Sequence, residues 1–302
     1  MALELGRRGG TIRALVRNPD KLRQGLGRSM DLEIVAGDAL DPQAVAQAAQ
    51  GCGAIVHGIN YPYHQWVPNM ERVTDNVIAA ARSQGAVILF PGNVYVFGAQ
   101  VDKPLTENAE LRPNSRKGEL RVRLETALRA ATIAGAARVI ILRAGDYFGP
   151  TVRNGLVDRI FAMAAQGKPI QYIGRLDIPH QWAYVPDLAR VGTDLLEISE
   201  RLAPCEIVHF KGYIASKQGE FLRLAAREAG APQVAIRTIP WWMLRLIGLF
   251  DPVVRELLEM RYLFERAVII DDPRRRELLP NFIDTPIEVA VRETVNSYQV
   301  VK

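Results

Sequence analysis

The chain has 302 residues, of which 48% are hydrophobic and 24% are charged, so it can bury a large core in one or two domains, and global disorder is excluded. The net charge of +5 is spread among interleaved acidic residues, which argues against a nucleic-acid partner. The two cysteines are far apart, no residues show metal-ligand spacing, and no apolar run reaches about 18 residues. We therefore predict a soluble, cytoplasmic protein without a disulfide framework, a metal site or a membrane partner.

The first predicted strand, at 11–16, leads into Asn18-Pro19-Asp20 and follows a helix tail at 2–8 and the turn Gly9-Gly10. This order resembles the second strand of a dinucleotide-binding fold. The first strand of that fold and its glycine loop, which holds the pyrophosphate at a helix N-terminus, are not found ahead of it. We therefore expect an N-terminally truncated copy of the fold, whether from a misplaced start or from trimming, and weakened cofactor binding.

Short apolar runs then alternate with helical patterns, which is typical of βαβ units around a parallel sheet. Strands are predicted at 11–16, 33–36, 54–57, 87–90, 139–143 and 206–210, and helices at 42–50, 69–84, 118–134 and 185–199. After residue 150 the pattern changes to a helix at 155–166, a strand at 170–173 and a helix-rich tail from 218. We predict a doubly wound, Rossmann-like domain (1–152 plus about 180–212) and a smaller substrate lobe (153–179 plus 213–302).

Five segments, in order, resemble the extended short-chain dehydrogenase/reductase family, in its NAD-dependent epimerase/dehydratase group. They are the stretches 35–41, 55–60, 90–98, 142–150 and 180–187. The resemblance implies an α/β Rossmann-like fold that binds NAD(P) and a small-molecule substrate. It also implies which residues contact each ligand. Those that contact the cofactor are Asp38, Ala39, Gly58, Ile59, Asn60 and Asp146, and those beside the substrate are Tyr147 and His180.

The end of the first strand bears on the choice of cofactor. An acidic residue there binds the ribose 2′-hydroxyl of NAD, whereas an arginine accommodates the 2′-phosphate of NADP. Arg17 occupies this place, with Arg13 and Lys21 near it in sequence. We predict NADP in preference to NAD, with the alternative that Arg17 caps the strand and faces water.

The family's catalytic serine, tyrosine and lysine are all substituted. The family pattern around residues 113–125 places Lys117 at the tyrosine position and Arg121 at the lysine position, and Asn93 stands for the serine. Asn93 can hydrogen-bond a substrate oxygen, and Arg121 can bond ribose hydroxyls but cannot shuttle a proton. Lys117 is either the acid/base, if Arg116 and Arg121 ease its deprotonation, or a solvated charge or phosphate contact.

Other side chains near the expected cleft have weaker assignments. Tyr95 and Tyr147 are alternative proton donors, or else parts of the core or pocket wall. His57 and His209 are predicted core residues, and His180 is predicted to line the pocket. The apolar stretch 241–250 is predicted to be an amphipathic lobe helix rather than a membrane anchor, and its aromatic residues could wall the substrate pocket.

Two functions therefore remain open. The first is an atypical NAD(P)-dependent epimerase, dehydratase or reductase for a sugar nucleotide or another small carbonyl or alcohol. The second is a non-catalytic NAD(P)-binding redox sensor, which the three substitutions favour. The chain retains the substrate lobe and the family-like stretch 143–150, which favours the function as an enzyme. A homodimer is a candidate assembly.

Overall fold

A computed structural model describes residues 1–26, 32–101, 103–135, 137–153 and 155–299. They fall into two compact units. Unit 1 comprises Met1–Gly92, Leu120–Leu142 and Ala189–Val208, and unit 2 comprises Asn93–Glu119, Arg143–Leu188 and His209–Lys302. Four stretches of unit 2 fall within the predicted nucleotide-binding domain, namely residues 93–119, 143–152, 180–188 and 209–212. That domain division stays a prediction.

Strands and helices alternate from the start of the chain, as the apolar pattern predicts. The strands are β1 (Ile12–Val16), β2 (Leu32–Ala36), β3 (Ala54–Val56), β4 (Val87–Asn93), β5 (Arg138–Ala144), β6 (Asp146–Phe148), β7 (Ile170–Ile173), β8 (His180–Tyr184), β9 (Cys205–Phe210), β10 (Tyr213–Ala215) and β11 (Ile236–Ile239). The helices are α1 (Ala2–Arg7), α2 (Pro19–Leu26), α3 (Pro42–Ala49), α4 (Trp66–Gln84), α5 (Arg116–Ile133), α6 (Gly155–Ala165), α7 (Val185–Glu197), α8 (Gln218–Glu228), α9 (Trp241–Ile247), α10 (Pro252–Leu258), α11 (Tyr262–Glu265), α12 (Pro273–Leu278) and α13 (Ile287–Gln299).

Unit 1 contains two sheets. Strands β1 and β2 form a parallel pair, with Ile12 opposite Leu32 and Val16 opposite Ala36. A four-stranded sheet has the order β3-β4-β5-β9, in which β3 and β4 are parallel. These elements confirm the predicted α/β class.

Strands β4 and β5 read as nearly continuous apolar runs because they are buried on both faces. Ile88, Leu89, Ile140 and Ile141 are buried there. Helices α4 and α5 add buried residues at three- and four-residue spacing, namely Met70, Val73, Val77, Leu120, Leu124 and Leu128. The turn that leads into α3 is set locally, because the Asp41 side chain caps the helix by accepting from the Gln43 amide at 2.9 Å.

Unit 2 is built around a cluster of aromatic rings. Strand β8 lies between β6, to which it is parallel, and β10, to which it is antiparallel. Trp182 stacks on Phe221 with ring centroids 4.3 Å apart, and Phe148 meets Phe221 edge to face at 5.3 Å. Large buried aromatic rings dominate core energetics. This core therefore fixes the first residues of β6 and β8, Asp146 and His180.

Candidate functional site

In unit 1, three polar side chains meet at the carboxyl ends of β1, β2 and β3. Arg17 follows β1, and its guanidinium lies over the Tyr61 ring, 5.6 Å from the centroid. Asp38 follows β2 and shares a hydrogen bond with Tyr61, which is buried. Burial, and next the negative charge of Asp38, raise the pKa of the Tyr61 phenol, so this group stays protonated and is a donor. The structure thus links Arg17 and Asp38 through Tyr61.

Apart from Asp146, the other predicted cofactor contacts lie on the loops after β2 and β3. Asp38 accepts from the Leu40 amide at 3.0 Å, and the Ala39 carbonyl accepts from the Asn76 side chain at 2.8 Å. Asn60 accepts from the Trp66 indole N–H at 3.0 Å. Gly58 is exposed, and a Cβ built on it would meet no atom within 4 Å, which leaves room for a ligand to approach the backbone. Ile59, between them, is half-buried.

Arg121 lies on α5 in unit 1 and is buried. It donates to the Pro91 carbonyl at 2.6 Å, and its guanidinium lies 4.7 Å from the Phe90 ring centroid and 5.6 Å from that of Trp66. A guanidinium that is both stacked and hydrogen-bonded is held in one orientation. Arg121 therefore has a structural role at the end of β4, whatever it contributes to ligand binding.

Lys117 lies one turn earlier on α5, in unit 2, and is 2% exposed. Its ammonium donates to the Glu256 carboxylate, to the Glu259 carboxylate at 2.6 Å and to the Glu256 carbonyl at 3.2 Å. The two glutamate side chains are each 18% exposed. We call these three residues the Lys117 cluster. It brings one proton donor and two acceptors together in a largely buried place.

This geometry corrects two expectations for Lys117. It is not a solvated charge, because its side chain is buried. Its surroundings are not set by cationic neighbours either, because Glu256 and Glu259 contact the ammonium directly. Arg116 lies beside the same carboxylates, and its guanidinium is 3.3 Å from the Glu256 carboxylate.

Asn93 and Tyr95 are joined at the end of β4. The Asn93 side-chain oxygen accepts from the Tyr95 amide at 3.1 Å, which caps the short helical turn 94–97. The amide nitrogen is then the donor that Asn93 can offer a ligand. A Cβ on Gly118 would lie 2.6 Å from the Tyr95 carbonyl oxygen, so glycine there allows α5 to approach this turn closely.

Asp146 and His180 form a direct pair at the starts of β6 and β8. His180 Nε2 lies 2.8 Å from the Asp146 carboxylate, and the imidazole packs on Trp182 with centroids 4.9 Å apart. His180 is buried, whereas the Asp146 side chain is partly exposed. Tyr147, the next residue of β6, is half-buried opposite Ala183. The structure therefore brings together two residues that the sequence assigns to different ligands.

His57 and His209 are buried, as predicted for core residues. His57 Nε2 is 2.9 Å from the Thr74 hydroxyl, and burial, followed by Arg121, lowers the pKa of His57 to about 3. Burial, followed by Arg143, lowers the pKa of His209 to about 4. Both imidazoles are neutral at physiological pH.

The sequence model of the NAD dependent epimerase/dehydratase family matches residues 2–208. The chain belongs to this family. Two curated relatives from Sinorhizobium fredii match in part. The uncharacterized protein y4nL is 30% identical over 205 residues, covering 64% of this chain and 55% of that protein, and y4nG is 25% identical over 198 residues, covering 63% and 48%. The chain thus spans about half the length of these relatives.

Solved structures of sugar-nucleotide epimerases share the Rossmann-like fold. A UDP-glucuronic acid 4-epimerase from Bacillus cereus, in complex with UDP-glucuronic acid and NAD, has a TM-score of 0.79 at 14% identity, covering 100% of this chain and 95% of the other. A UDP-glucose 4-epimerase from Thermotoga maritima, with UDP-glucose, has a TM-score of 0.78 at 14% identity, covering 98% and 93%. At this identity the likeness concerns the fold.

Family patterns pointed to Asn93, Lys117, Arg121, Asp146 and His180, but they did not reveal the contacts of these residues. Glu256 and Glu259 were missed. They are spaced by three residues near the end of α10, a spacing that places two acids on one helix face, but the partner lies more than 130 positions earlier in the chain. Tyr61 was also missed as a ligand candidate. The feature that could have identified Tyr61 in the sequence is its place directly after Asn60, in the loop that follows β3.

Metal-ligand clusters and membrane-spanning helices are both absent from the part of the chain that the structure describes. Among the described residues, no group of three or more His, Cys, Asp or Glu side chains has an arrangement that could hold a metal ion. No helix within the same part of the chain is long and apolar enough to cross a membrane.

Proposed function

We propose that the protein is a nicotinamide-dinucleotide-dependent enzyme that oxidises and reduces a secondary alcohol on a sugar-nucleotide-like substrate. The observation that carries this proposal is the Lys117 cluster. The family resemblance puts Lys117 at the position of the acid/base tyrosine, and the cluster offers both a donor and acceptors for a proton. Family membership and the fold of the sugar-nucleotide epimerases support the reaction class.

The residues at the strand ends of unit 1 fit the adenosine half of the cofactor. The Asp38 carboxylate can accept from the adenine amine, and the Tyr61 phenol can donate to a ribose or phosphate oxygen. The Arg17 guanidinium suits a 2′-phosphate, which supports NADP over NAD. The open space beside Gly58 admits a ligand against the backbone. Bound NAD(P) would supply the hydride acceptor and donor.

The chain's own residues then have to hold the substrate and move one proton. Asn93 would donate its side-chain amide to the reacting oxygen. The proton of the substrate hydroxyl would pass to a glutamate of the Lys117 cluster, while the Lys117 ammonium stabilises the negative oxygen. Because both glutamates already contact the ammonium, a proton can be exchanged within the cluster without large movement.

The Asp146–His180 pair supports a substrate rich in hydroxyl groups. A partly exposed carboxylate that is oriented by a buried imidazole accepts hydrogen bonds from sugar hydroxyls. Tyr147 adds a phenol on the same strand. We assign these three residues to substrate binding.

The test compares Lys117→Met and Glu256→Gln with the wild-type chain. Turnover is followed by chromatographic separation of the 4-epimers of UDP-glucuronic acid and of UDP-glucose in the presence of NADP or NAD. Loss of the proton carrier lowers kcat by about 100-fold or more. Lys168→Met, at an exposed lysine, is the matched control and should leave turnover unchanged. Binding of NADPH, followed by nicotinamide fluorescence, should stay within about twofold in all three variants, because the proposed nucleotide contacts lie in unit 1.

Turnover by Lys117→Met at the wild-type rate would exclude the Lys117 cluster as the proton carrier.

The second candidate function is a non-catalytic redox sensor. It is favoured by the structural partners of Lys117 and Arg121. Lys117 is held by three oxygens and Arg121 by the Pro91 carbonyl and two rings. Tight NADPH binding by the wild-type chain, without turnover of either nucleotide sugar, would support the sensor and contradict the enzyme.

A further inference from the structure

An apolar surface lies at the junction of α9 and α10 in unit 2. Of the large hydrophobic side chains that are exposed among the described residues, half lie within twelve consecutive positions: Trp242, Leu246, Ile247, Leu249, Phe250 and Val253. Phe250 is 90% exposed, Leu249 69% and Trp242 64%. We call these six residues the α9–α10 tip. Contiguous exposed apolar surface of this kind marks an interaction site.

The sequence predicts that the stretch 241–250 is an amphipathic lobe helix rather than a membrane anchor, with aromatic residues that could wall the substrate pocket. The helix is present as α9, but its partners are few and local. Leu244 points into the lobe and is buried, and Trp241 packs on Phe264 with centroids 6.1 Å apart. The other large apolar residues of the stretch, except the half-buried Met243, are exposed. Their exposure therefore calls for a partner outside the two units.

The exposed charges around the tip are positive. Arg245 and Arg255 are exposed on α9 and α10. Arg261, exposed just before α11, lies 4.0 Å from the Glu265 carboxylate. Gly248 is in close contact with the Arg255 backbone, and Arg261 lies over the Trp241 ring at 5.1 Å, so two of these arginines border the tip in space.

The acidic residues of the same segment are half-buried and have partners. Asp251 caps α10 by accepting from the Val253 amide at 2.8 Å and the Val254 amide at 3.2 Å. Glu256 and Glu259 bind Lys117. The tip therefore presents apolar side chains within a positive border, which complements an anionic partner.

We propose that the α9–α10 tip docks on an anionic lipid surface, with Leu249 and Phe250 inserted among the acyl chains and Arg245 and Arg255 at the headgroups. A short amphipathic element with aromatic and aliphatic residues on one side and arginines beside them binds membranes in this way. A second copy of the chain fits less well, because a two-fold interface would bring the same arginines of both copies together. This association is peripheral and independent of the proposed activity.

The test is co-sedimentation of the full chain with phosphatidylcholine vesicles that do or do not contain phosphatidylserine. We expect binding to the anionic vesicles, much weaker binding to pure phosphatidylcholine, and weakening by salt. The double variant Leu249→Ser/Phe250→Ser should bind the anionic vesicles at least about tenfold more weakly. Arg245→Gln/Arg255→Gln should lose most of the difference between the two kinds of vesicle.

The matched control is Ile133→Ser/Ile283→Ser, which removes two equally exposed apolar side chains elsewhere, at 88% and 78% exposure. It should bind like the wild-type chain. Circular dichroism and the thermal midpoint confirm that each variant is folded. Absence of binding to anionic vesicles, or equal loss in the control, overturns the proposal. So does a wild-type dimer in sedimentation velocity that Leu249→Ser/Phe250→Ser converts to monomer, because the tip would then bind a second copy.

Discussion

At the scale of single residues, the substituted family positions each have a defined physical setting. A buried lysine requires paired charges, and Lys117 has them in Glu256 and Glu259. Arg121 is stacked and hydrogen-bonded within unit 1. Lys117 and Arg121, which the family resemblance puts at the tyrosine and lysine positions, are thus integrated in the fold, so each can be tested by its own substitution.

Arg17 is predicted to set the preference for NADP. Arg17→Ala should weaken NADPH binding by about tenfold, since one charge-assisted contact to the 2′-phosphate is lost, and should change NADH binding much less. Isothermal titration calorimetry with both dinucleotides measures the two affinities. Arg23→Ala, at an exposed arginine on α2, is the control and should change neither. An equal loss for NADPH and NADH would show that Arg17 does not contact the 2′-phosphate.

His209 is predicted to make stability depend on pH. Its folded-state pKa of about 4 lies below the unfolded value of about 6.5, so between these values the unfolded chain binds more protons than the native chain. The stabilisation is complete above about pH 6.5 and is lost as the pH falls toward 4, by about 3 kcal/mol. His57 acts in the same direction, over a range that extends to about pH 3.

Urea unfolding of the wild-type chain and of His209→Gln at a series of pH values measures this effect. The variant should lose less unfolding free energy between about pH 7 and about pH 4, by an amount near the 3 kcal/mol above. His64→Gln, at an exposed histidine, should keep the wild-type pH dependence. An unchanged dependence in His209→Gln would contradict the assignment of the lowered pKa.

At the scale of elements, strand ends and helix starts carry most of the candidate functional groups. The family-like segment at 180–187 becomes β8 and the first turn of α7, and its last residue, Asp187, is buried. Asp187 accepts from the Thr285 amide and hydroxyl, both at 2.7 Å, and so ties α7 to the chain just before α13. The same short motif therefore has a structural role.

Asp187→Ala should lower the free energy of unfolding by about 3 kcal/mol, because two charge-assisted hydrogen bonds are lost at the buried Asp187 position and the half-buried Thr285 groups lose their acceptor. Urea unfolding measures the change. Asp177→Ala, at an exposed carboxylate that pairs with Arg175, is the control and should be close to wild type. A loss no larger in Asp187→Ala than in this control would mean that the contact with Thr285 does not contribute to stability.

The sequence predicted the strands of unit 1, but it did not predict α2, the short strands β6, β8, β10 and β11, or the side-chain contacts between elements. Strands β4 and β5 could be predicted because burial on both faces requires continuous apolar runs. Helix α5 and the family register of Lys117 and Arg121 followed from local pattern. The contact of Lys117 with Glu256 and Glu259 depends on tertiary structure, because charged residues at exposed and buried positions look alike in sequence. Exposure of Phe250 is hidden for the same reason, since an apolar helix predicts burial.

At the scale of the whole molecule, the proposed nucleotide contacts lie in unit 1, and the groups proposed for proton transfer and substrate binding lie in unit 2. Unit 1 carries Arg17, Asp38 and Tyr61 at the ends of three strands, which suit a nucleotide. Unit 2 carries Asn93, the Lys117 cluster and the Asp146–His180 pair, which suit proton transfer and a hydroxyl-rich substrate. This division predicts that substitutions in unit 2 change turnover while dinucleotide affinity is kept.

Cofactor binding is the common requirement of both proposed functions, so calorimetric titration of the wild-type chain with NADPH and with NADH tests the account most directly. We predict saturable binding at one site per chain, tighter for NADPH, with NADPH affinity reduced in Arg17→Ala. Absence of a binding signal for both dinucleotides would contradict the assignment of the unit 1 strand ends as a dinucleotide site, and with it the proposed oxidoreductase.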